Sequence, residues 1–231
     1  YTILTAEHGK IEGWAQGVRK PQSKLVAHLQ PLYLCDFMFA RGRRFDRIAQ
    51  LRIVNRFTEL WEDLEKLSKA VYAASLIDLV VRPGTKEHTI FELFLSALTL
   101  LAKGSGSVEM VFSLKLLKET GFTPQLYHCV VCKHPVQGLS KPFDAIRGGV
   151  LCNDCFMSGA EHAFLVSSLT IEALEMILTS PLTSLEMPEL IAQELTQIAR
   201  AMVSAHFGEE PKARFFMDFL VKEPLAMTAG V

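Results

Sequence analysis

Cys129-Val130-Val131-Cys132 and, nineteen residues further on, Cys152-Asn153-Asp154-Cys155 form two Cys-x-x-Cys pairs in the middle of the chain. Two residues between thiolates let one tight turn aim both sulfurs at a single ion. A second such turn completes a tetrahedron with metal–sulfur bonds of about 2.3 Å. The separation of the pairs is that of a four-cysteine zinc site. Four thiolates leave no position for an activated water, so the pattern predicts a structural zinc ion held by Cys129, Cys132, Cys152 and Cys155 rather than a catalytic one. An iron centre of the rubredoxin type is the chemical competitor. Two disulfides or four unliganded core thiols are the plainer alternatives. A zinc deaminase would need a His-x-Glu partner and a Pro-Cys-x-x-Cys run, and the sequence has neither. His128 and His134, beside the first pair, read as surface histidines. Lys133, Lys141 and Arg147 are placed to soften the negative charge of the cluster.

On both sides of this turn-rich segment, residues 127–156, the apolar period is helical. Leu60, Leu64, Leu67, Val71 and Ala74 recur at steps of three and four, and Thr58 precedes Glu59, Glu62 and Asp63, acids suited to the positive end of a helix. One long helix is expected over 58–81, stopped by Pro83-Gly84, with others over 88–103 and 108–119. After the cysteines, helices are expected over 168–178, 188–207 and 211–221.

Ahead of Asn55 the pattern is instead a set of short β-like runs, at 1–4, 11–17, 29–39 and 45–54, broken by turn residues. No helix-length crossover separates them, which points to a small barrel or sandwich rather than a parallel sheet. Cys35, between Leu34, Phe37 and Phe39, reads as a buried core thiol. The fold class is therefore α+β and multidomain: a strand domain over 1–56, a helical domain over 57–126 and 157–231, and a four-cysteine zinc finger over 127–156 inserted in it.

The chain has 231 residues and a formal net charge of −1, which excludes a wholly basic nucleic-acid binder. Residues 1–56 nevertheless hold ten Lys or Arg against four acids, and the rest of the chain is acidic on balance. Arg19, Lys20 and Lys24 fall on one connection between strands, and Arg41, Arg43, Arg44 and Arg47 on another. If the strands close into a barrel, these loops meet on one face as a groove for phosphates. Trp14, Tyr33 and Phe45 could stack on unpaired bases, although an aromatic on an alternating strand is more often core. No apolar run reaches the roughly 18 residues of a membrane span. Cysteines paired at metal-ligand spacing, rather than spread as a disulfide framework, suit a soluble protein in a reducing, cytoplasmic setting.

The run Thr5-Ala6-Glu7-His8-Gly9-Lys10, then Gly17-Val18-Arg19-Lys20-Pro21-Gln22-Ser23-Lys24 and Leu29-Gln30-Pro31-Leu32, resembles the first domain of the bacterial RecO family of DNA repair and recombination mediators. Arg41-Gly42-Arg43, Asp63-Leu64 with Tyr72, Phe91-Glu92-Leu93, Pro124-Gln125-Leu126 and Gly148-Gly149-Val150-Leu151-Cys152 continue the match in order. It is strong to about Cys155 and weaker beyond, where Lys212-Ala213-Arg214 departs from the family by placing Ala213 where a small hydroxyl residue often stands. The resemblance implies an oligonucleotide-binding (OB) β-barrel whose first strand lies ahead of Tyr1, a helical body and a zinc-finger insertion. It also implies no enzymatic turnover, a bacterial, nucleoid-associated location, binding of single- and double-stranded DNA, and strand annealing. The implied partners are RecR, single-strand-binding protein and, indirectly, RecA. Two rival classes remain open on the residues alone. One is a zinc-stapled adaptor that docks proteins without binding DNA, and the other is a metal hydrolase, for which no open coordination site is evident.

Overall fold

The structure is a computed structural model that describes residues 1–15, 29–42, 46–84, 88–104, 106–183, 185–208 and 211–213. The chain packs as two units, Tyr1–Gly104 and Ser105–Val231. The unit boundary therefore lies beyond the change of residue period near Asn55.

In the first unit, β1 (Thr2–Thr5) and β2 (Gly9–Glu12) form an antiparallel hairpin, and β3 (Leu34–Ala40) and β4 (Arg47–Asn55) form another, with register irregularities after Leu34 and Met38. Alternation sorts the second hairpin into two faces. Cys35, Phe37, Phe39, Ile48, Leu51 and Ile53 are buried or half-buried, while Asp36, Met38, Gln50, Arg52 and Val54 are exposed. The hairpins meet at Trp14, whose N–H donates to the Asp46 carbonyl (2.9 Å) and whose carbonyl accepts from the Ile48 N–H (3.0 Å), a parallel bridge to Arg47. Two two-stranded sheets joined by one bridge are what the described residues show; barrel closure is not among these pairings. Cys35 is half-buried rather than a core thiol: it lines an apolar cavity of about 320 Å³ with Leu4, Phe37, Phe91 and Leu98. Burial pushes its thiol pKa up.

The single long helix expected after Asn55 is two helices, α1 (Thr58–Trp61) and α2 (Leu64–Val80). Asp63 leaves helical geometry, and its carboxylate caps the N–H groups of Glu65 (2.9 Å) and Lys66 (3.2 Å). That break resets the helical phase. The stripe read from the sequence is buried at Leu60 and half-buried at Leu67 and Ala74, but Leu64 and Val71 are exposed, and on α2 Ala70, Ala73, Leu76 and Ile77 face the core with Tyr72. Helix α3 (His88–Ala102) completes the unit through Ile90, Ala97, Leu98 and Leu101.

The second unit is built on α4 (Val108–Glu119), in which every residue from Met110 to Leu117 is buried. Helices α6 (Ser168–Thr179) and α7 (Glu189–Phe207) pack against it. Between α4 and α6 lie β5 (Ser140–Asp144), β6 (Gly149–Val150), the short α5 (Asn153–Met157) and β7 (Phe164–Ser167), with β5 central in a three-stranded sheet.

The three longest helices that lack a basic residue in their last turn, α2, α3 and α6, each receive a lysine from another element. Lys10 donates to the Asp78 carbonyl of α2 (2.7 Å), and Lys66 to the Ala102 carbonyl of α3 (3.0 Å). At the end of α6, Lys118 donates to the Leu178 carbonyl (2.7 Å) and buried Lys115 to those of Ile177 (2.6 Å) and Ser180. Ammonium groups at helix C-termini meet unpaired carbonyls and the negative end of the dipole. The other end of α6 is served by Glu194, whose carboxylate accepts from the Ser167 N–H (2.9 Å) and the Thr170 hydroxyl. No helix among the described residues is long and apolar enough to cross a membrane.

Candidate metal centre and nucleic-acid interface

The four sulfurs of Cys129, Cys132, Cys152 and Cys155 all lie within 4.8 Å of one another, and those of Cys132 and Cys152 are 3.5 Å apart. A tetrahedral ion with bonds of about 2.3 Å would hold its sulfurs about 3.8 Å apart, so the cluster fits a closed four-thiolate site. Each pair is presented by a turn. The Lys133 N–H donates to the Cys129 carbonyl (2.9 Å) and the Cys129 N–H to the His134 carbonyl (2.8 Å), while Lys133 takes a left-handed conformation (φ 65°) to close the first knuckle. The second pair straddles the start of α5, with Cys152 as N-cap and Phe156 N–H bonded to the Cys152 carbonyl (3.0 Å).

The knuckles are then sewn together. Val130 N–H donates to the Val150 carbonyl (3.0 Å), Gln125 N–H to that of Gly148 (2.9 Å), and Val150 N–H to that of Gln125 (2.9 Å). Gly149 sits so close to this seam that a Cβ there would lie 2.4 Å from the Gln125 carbonyl oxygen. The demand for a bare backbone at Gly149 comes from a neighbour 24 residues away. Asp144, fully buried, holds the β5–β6 turn by accepting from the Ile146 and Arg147 N–H groups (3.0 Å each) and from the Arg147 guanidinium.

Burial opposes ionisation of Cys129, but the amides of Cys132, Cys152 and Val131 outweigh it and bring its thiol down to about 6. Cys155 is pushed the other way, to about 12, chiefly by its hydrogen bond with Cys152 and then by burial and the other two sulfurs. Four sulfurs this close favour one anion sharing protons among neighbours, whereas a divalent cation accommodates all four as thiolates. Lys133 donates to Val130 within its own knuckle (2.9 Å), and Arg147 is engaged by Asp144. His128 and His134 are exposed, as expected of surface histidines, and are not in the sulfur cluster.

Of the expected phosphate contacts, Arg41 lies exposed just past β3. Arg19, Lys20, Lys24, Arg43 and Arg44 lie outside the described residues, as does Phe45. The described ends of both basic connections are nevertheless joined. The chain from Trp14 and Ala15 leads into the first, the chain at Asp46 emerges from the second, and the Trp14–Asp46 and Ile48–Trp14 hydrogen bonds bind these ends together. The two other aromatics divide. Tyr33 is half-buried against the edge of Trp61 (centroids 6.2 Å apart, 86°), whereas Trp14 is 59% exposed.

Residues 1–57 match the family model for the N-terminal domain of recombination protein O, and residues 61–215 match that for its C-terminal domain. The chain belongs to the RecO family. Within the RecO family it is 32% identical over 236 residues to the DNA repair protein RecO of Desulforamulus reducens, covering all of this chain and 91% of that protein. It is 30% identical over 233 residues to that of Pelotomaculum thermopropionicum (99% and 90% covered) and 32% over 207 residues to that of Rubrobacter xylanophilus (88% and 83%).

Proposed function

We propose that the chain is a non-enzymatic recombination mediator in bacterial DNA repair, acting in the cytoplasm at the nucleoid. It binds single- and double-stranded DNA, promotes annealing and, with RecR, helps load RecA onto strands coated with single-strand-binding protein. In this reading residues 1–56 close into an oligonucleotide-binding barrel. Arg19, Lys20, Lys24, Arg41, Arg43 and Arg44 hold phosphates with little reading of sequence. Neutralising two polyanions lets complementary strands approach, which is the physical route to annealing. The ion in the four-cysteine site is zinc, a structural staple for a finger spanning 127–156 within the helical domain, 57–126 and 157–231.

The observation that carries the reading is the Trp14–Arg47 bridge, taken with family membership. Arg19 follows Trp14 by five residues and Arg44 precedes Asp46 by two. Two basic connections thus spring from one point.

The test is a salt titration of oligonucleotide binding. The logarithm of affinity for a single strand falls by about 0.7 per log unit of salt for each phosphate neutralised. Replacing Arg19, Lys20 and Lys24 together by Ala is expected to weaken binding of arbitrary sequences and flatten that slope. Unchanged affinity at low and high salt would remove the groove, and absence of any salt-sensitive binding by the parent protein would remove the DNA-binding function.

A further inference from the structure

We propose that Cys132 and Cys152 are an oxidisable pair, which a hydroperoxide joins as a disulfide across the two knuckles and so expels the ion from the four-cysteine site; the inference rests on the reading above that an ion is held there. Cysteines bound to a metal are thiolates, and the thiolate is the nucleophile that attacks a peroxide. Access then decides which sulfur reacts. Cys129 is fully buried, whereas Cys132, Cys152 and Cys155 are each half-buried. Peroxide therefore meets the outer sulfurs and not Cys129.

Position decides which bond follows. The Cys132 and Cys152 sulfurs stand 3.5 Å apart. The two stretches of chain that carry them are sewn together two residues earlier on each side, where the Val130 N–H donates to the Val150 carbonyl (3.0 Å). Backbone, and not the ion alone, keeps these sulfurs side by side. Closing the gap to a covalent bond asks for about 1.5 Å of side-chain movement. The rival partner for Cys152 is Cys155, three residues on in the short α5, and a bond there would leave the two knuckles unjoined.

In the first step the Cys132 thiolate attacks one oxygen of hydrogen peroxide. A sulfur–oxygen bond forms, the oxygen–oxygen bond breaks, and the departing hydroxide takes a proton to become water. In the second step the Cys152 thiolate attacks the Cys132 sulfenic acid. The sulfur–sulfur bond forms, and the displaced hydroxide takes a second proton. Two thiolates thus lose two electrons, and one peroxide becomes two waters. Cys129 and Cys155 remain as two ligands, half the set that a closed zinc site uses.

The sequence supplies its own readout. Trypsin cuts after Lys118, Lys133, Arg147 and Arg200, which puts Cys129 and Cys132 on one peptide and Cys152 and Cys155 on another. The reduced, metal-loaded full chain is treated with a small excess of hydrogen peroxide, its remaining thiols are alkylated, and it is digested without reductant. A Cys35→Ala variant, in which the fifth thiol cannot compete, is run in parallel. In both, the two peptides are expected to become cross-linked through Cys132 and Cys152, with Cys129 and Cys155 alkylated. One zinc should reach a chromogenic chelator for each cross-link formed, and reductant with added zinc should reverse both changes.

A bond confined to either knuckle, a cross-link through Cys129 and Cys155 instead, or metal retained against peroxide overturns the proposal and leaves the ion in place. A reduced chain that carries no metal removes the ion and the proposal with it.

Discussion

The cysteine ribbon and the N-terminal hairpins are both small β structures, yet they are held by opposite means. The hairpins rely on an apolar inner face, with Phe37 stacked on Phe39 at 5.8 Å and Ile48 buried beneath them, and on a single bridge at Trp14. The ribbon has a two-residue strand and a small core in which Val136, Phe143, Val150 and Leu151 are buried, while Val131, Leu139 and Ile146 face solvent. Its order comes from backbone seams and from four sulfurs that must be brought together. A segment with so small a core would gain stability from any ion that its four sulfurs hold. The N-terminal hairpins are thus held by one apolar face and one bridge, and the ribbon by its seams and a sulfur cluster that could hold a metal ion.

The widest gap between the two regions should open on removing metal. Intact mass of the native protein is expected to show one zinc per chain. Chelation after reduction, or Cys129→Ser, should abolish it and strip hydrogen-exchange protection from the amides of Cys129, Val130 and Val150. Structural zinc contributes about 10 kcal/mol or more in isolated fingers, so the loss in the ribbon should exceed that of any substitution below. Amides of β3 and β4 should keep their protection. Equal protection of the ribbon with and without metal would end the contrast.

Glycine substitution probes the same contrast more finely. Gly149→Ala drives a Cβ against the carbonyl of Gln125, backbone against backbone, with no flexible group able to yield. A loss of about 3 kcal/mol is expected, together with weaker metal retention. Gly13→Ala meets side-chain atoms at 3.0 and 3.2 Å, which can shift by tenths of an ångström. About 1–2 kcal/mol is expected there, with no effect on metal. Denaturant unfolding and metal content of the two variants, side by side, check both values.

Which of these features a reader could take from the sequence follows from the range over which each is encoded. The metal ligands are local: two residues between sulfurs fix the geometry of a knuckle, and Cys129, Cys132, Cys152 and Cys155 converge as their spacing required. Helix α4 was legible to the residue because Gly106 and Gly121 bracket it. The break at Asp63 was not, because the apolar rhythm runs through it from Leu60 to Leu67, and only the capping bonds to Glu65 and Lys66 reveal the change of phase. Trp14 was the least legible. Strand alternation alone makes an aromatic more often core, and its outward position depends on Gly13 filling the inner site against Phe39. The lysine caps on α2, α3 and α6 were hidden for the same reason, since Lys10 and Asp78 are partners 68 residues apart.

Those caps predict an intermediate effect. Lys115→Met keeps the length of the side chain but leaves the Ile177 and Ser180 carbonyls without their donor in a buried setting. Burial, and then nearby Lys118, push the Lys115 pKa down, so the ammonium is itself partly opposed by its surroundings and its removal has a compensating gain. A net loss of about 2 kcal/mol is expected. Calorimetry should place it in the helical unit, leaving the metal content unchanged.

The smallest effect belongs to the other end of α6. Burial resists ionisation of Glu194, but the hydroxyl of Thr170 and then the amide and hydroxyl of Ser167 outweigh it and hold its carboxyl below the ordinary 4.5. A carboxyl depressed in the folded state stabilises that state fully above 4.5, and the contribution disappears as pH falls through the lower folded value. Glu194→Gln keeps an acceptor for the Ser167 amide and removes only the charge at the helix N-terminus. It should therefore cost about 1 kcal/mol at neutral pH, and the difference from the parent should shrink to nothing on acidification. His206, stacked on Phe122 at 4.4 Å, is pushed below 6.5 by burial. As pH drops below 6.5 it takes a proton more readily when unfolded, and so lowers the stability of parent and variant alike. Subtracting the two unfolding curves cancels that contribution. A difference that stayed constant from neutral pH to well below 4.5 would mean that Glu194 acts by packing, and that the charge complement of α6 resides in its lysine end alone.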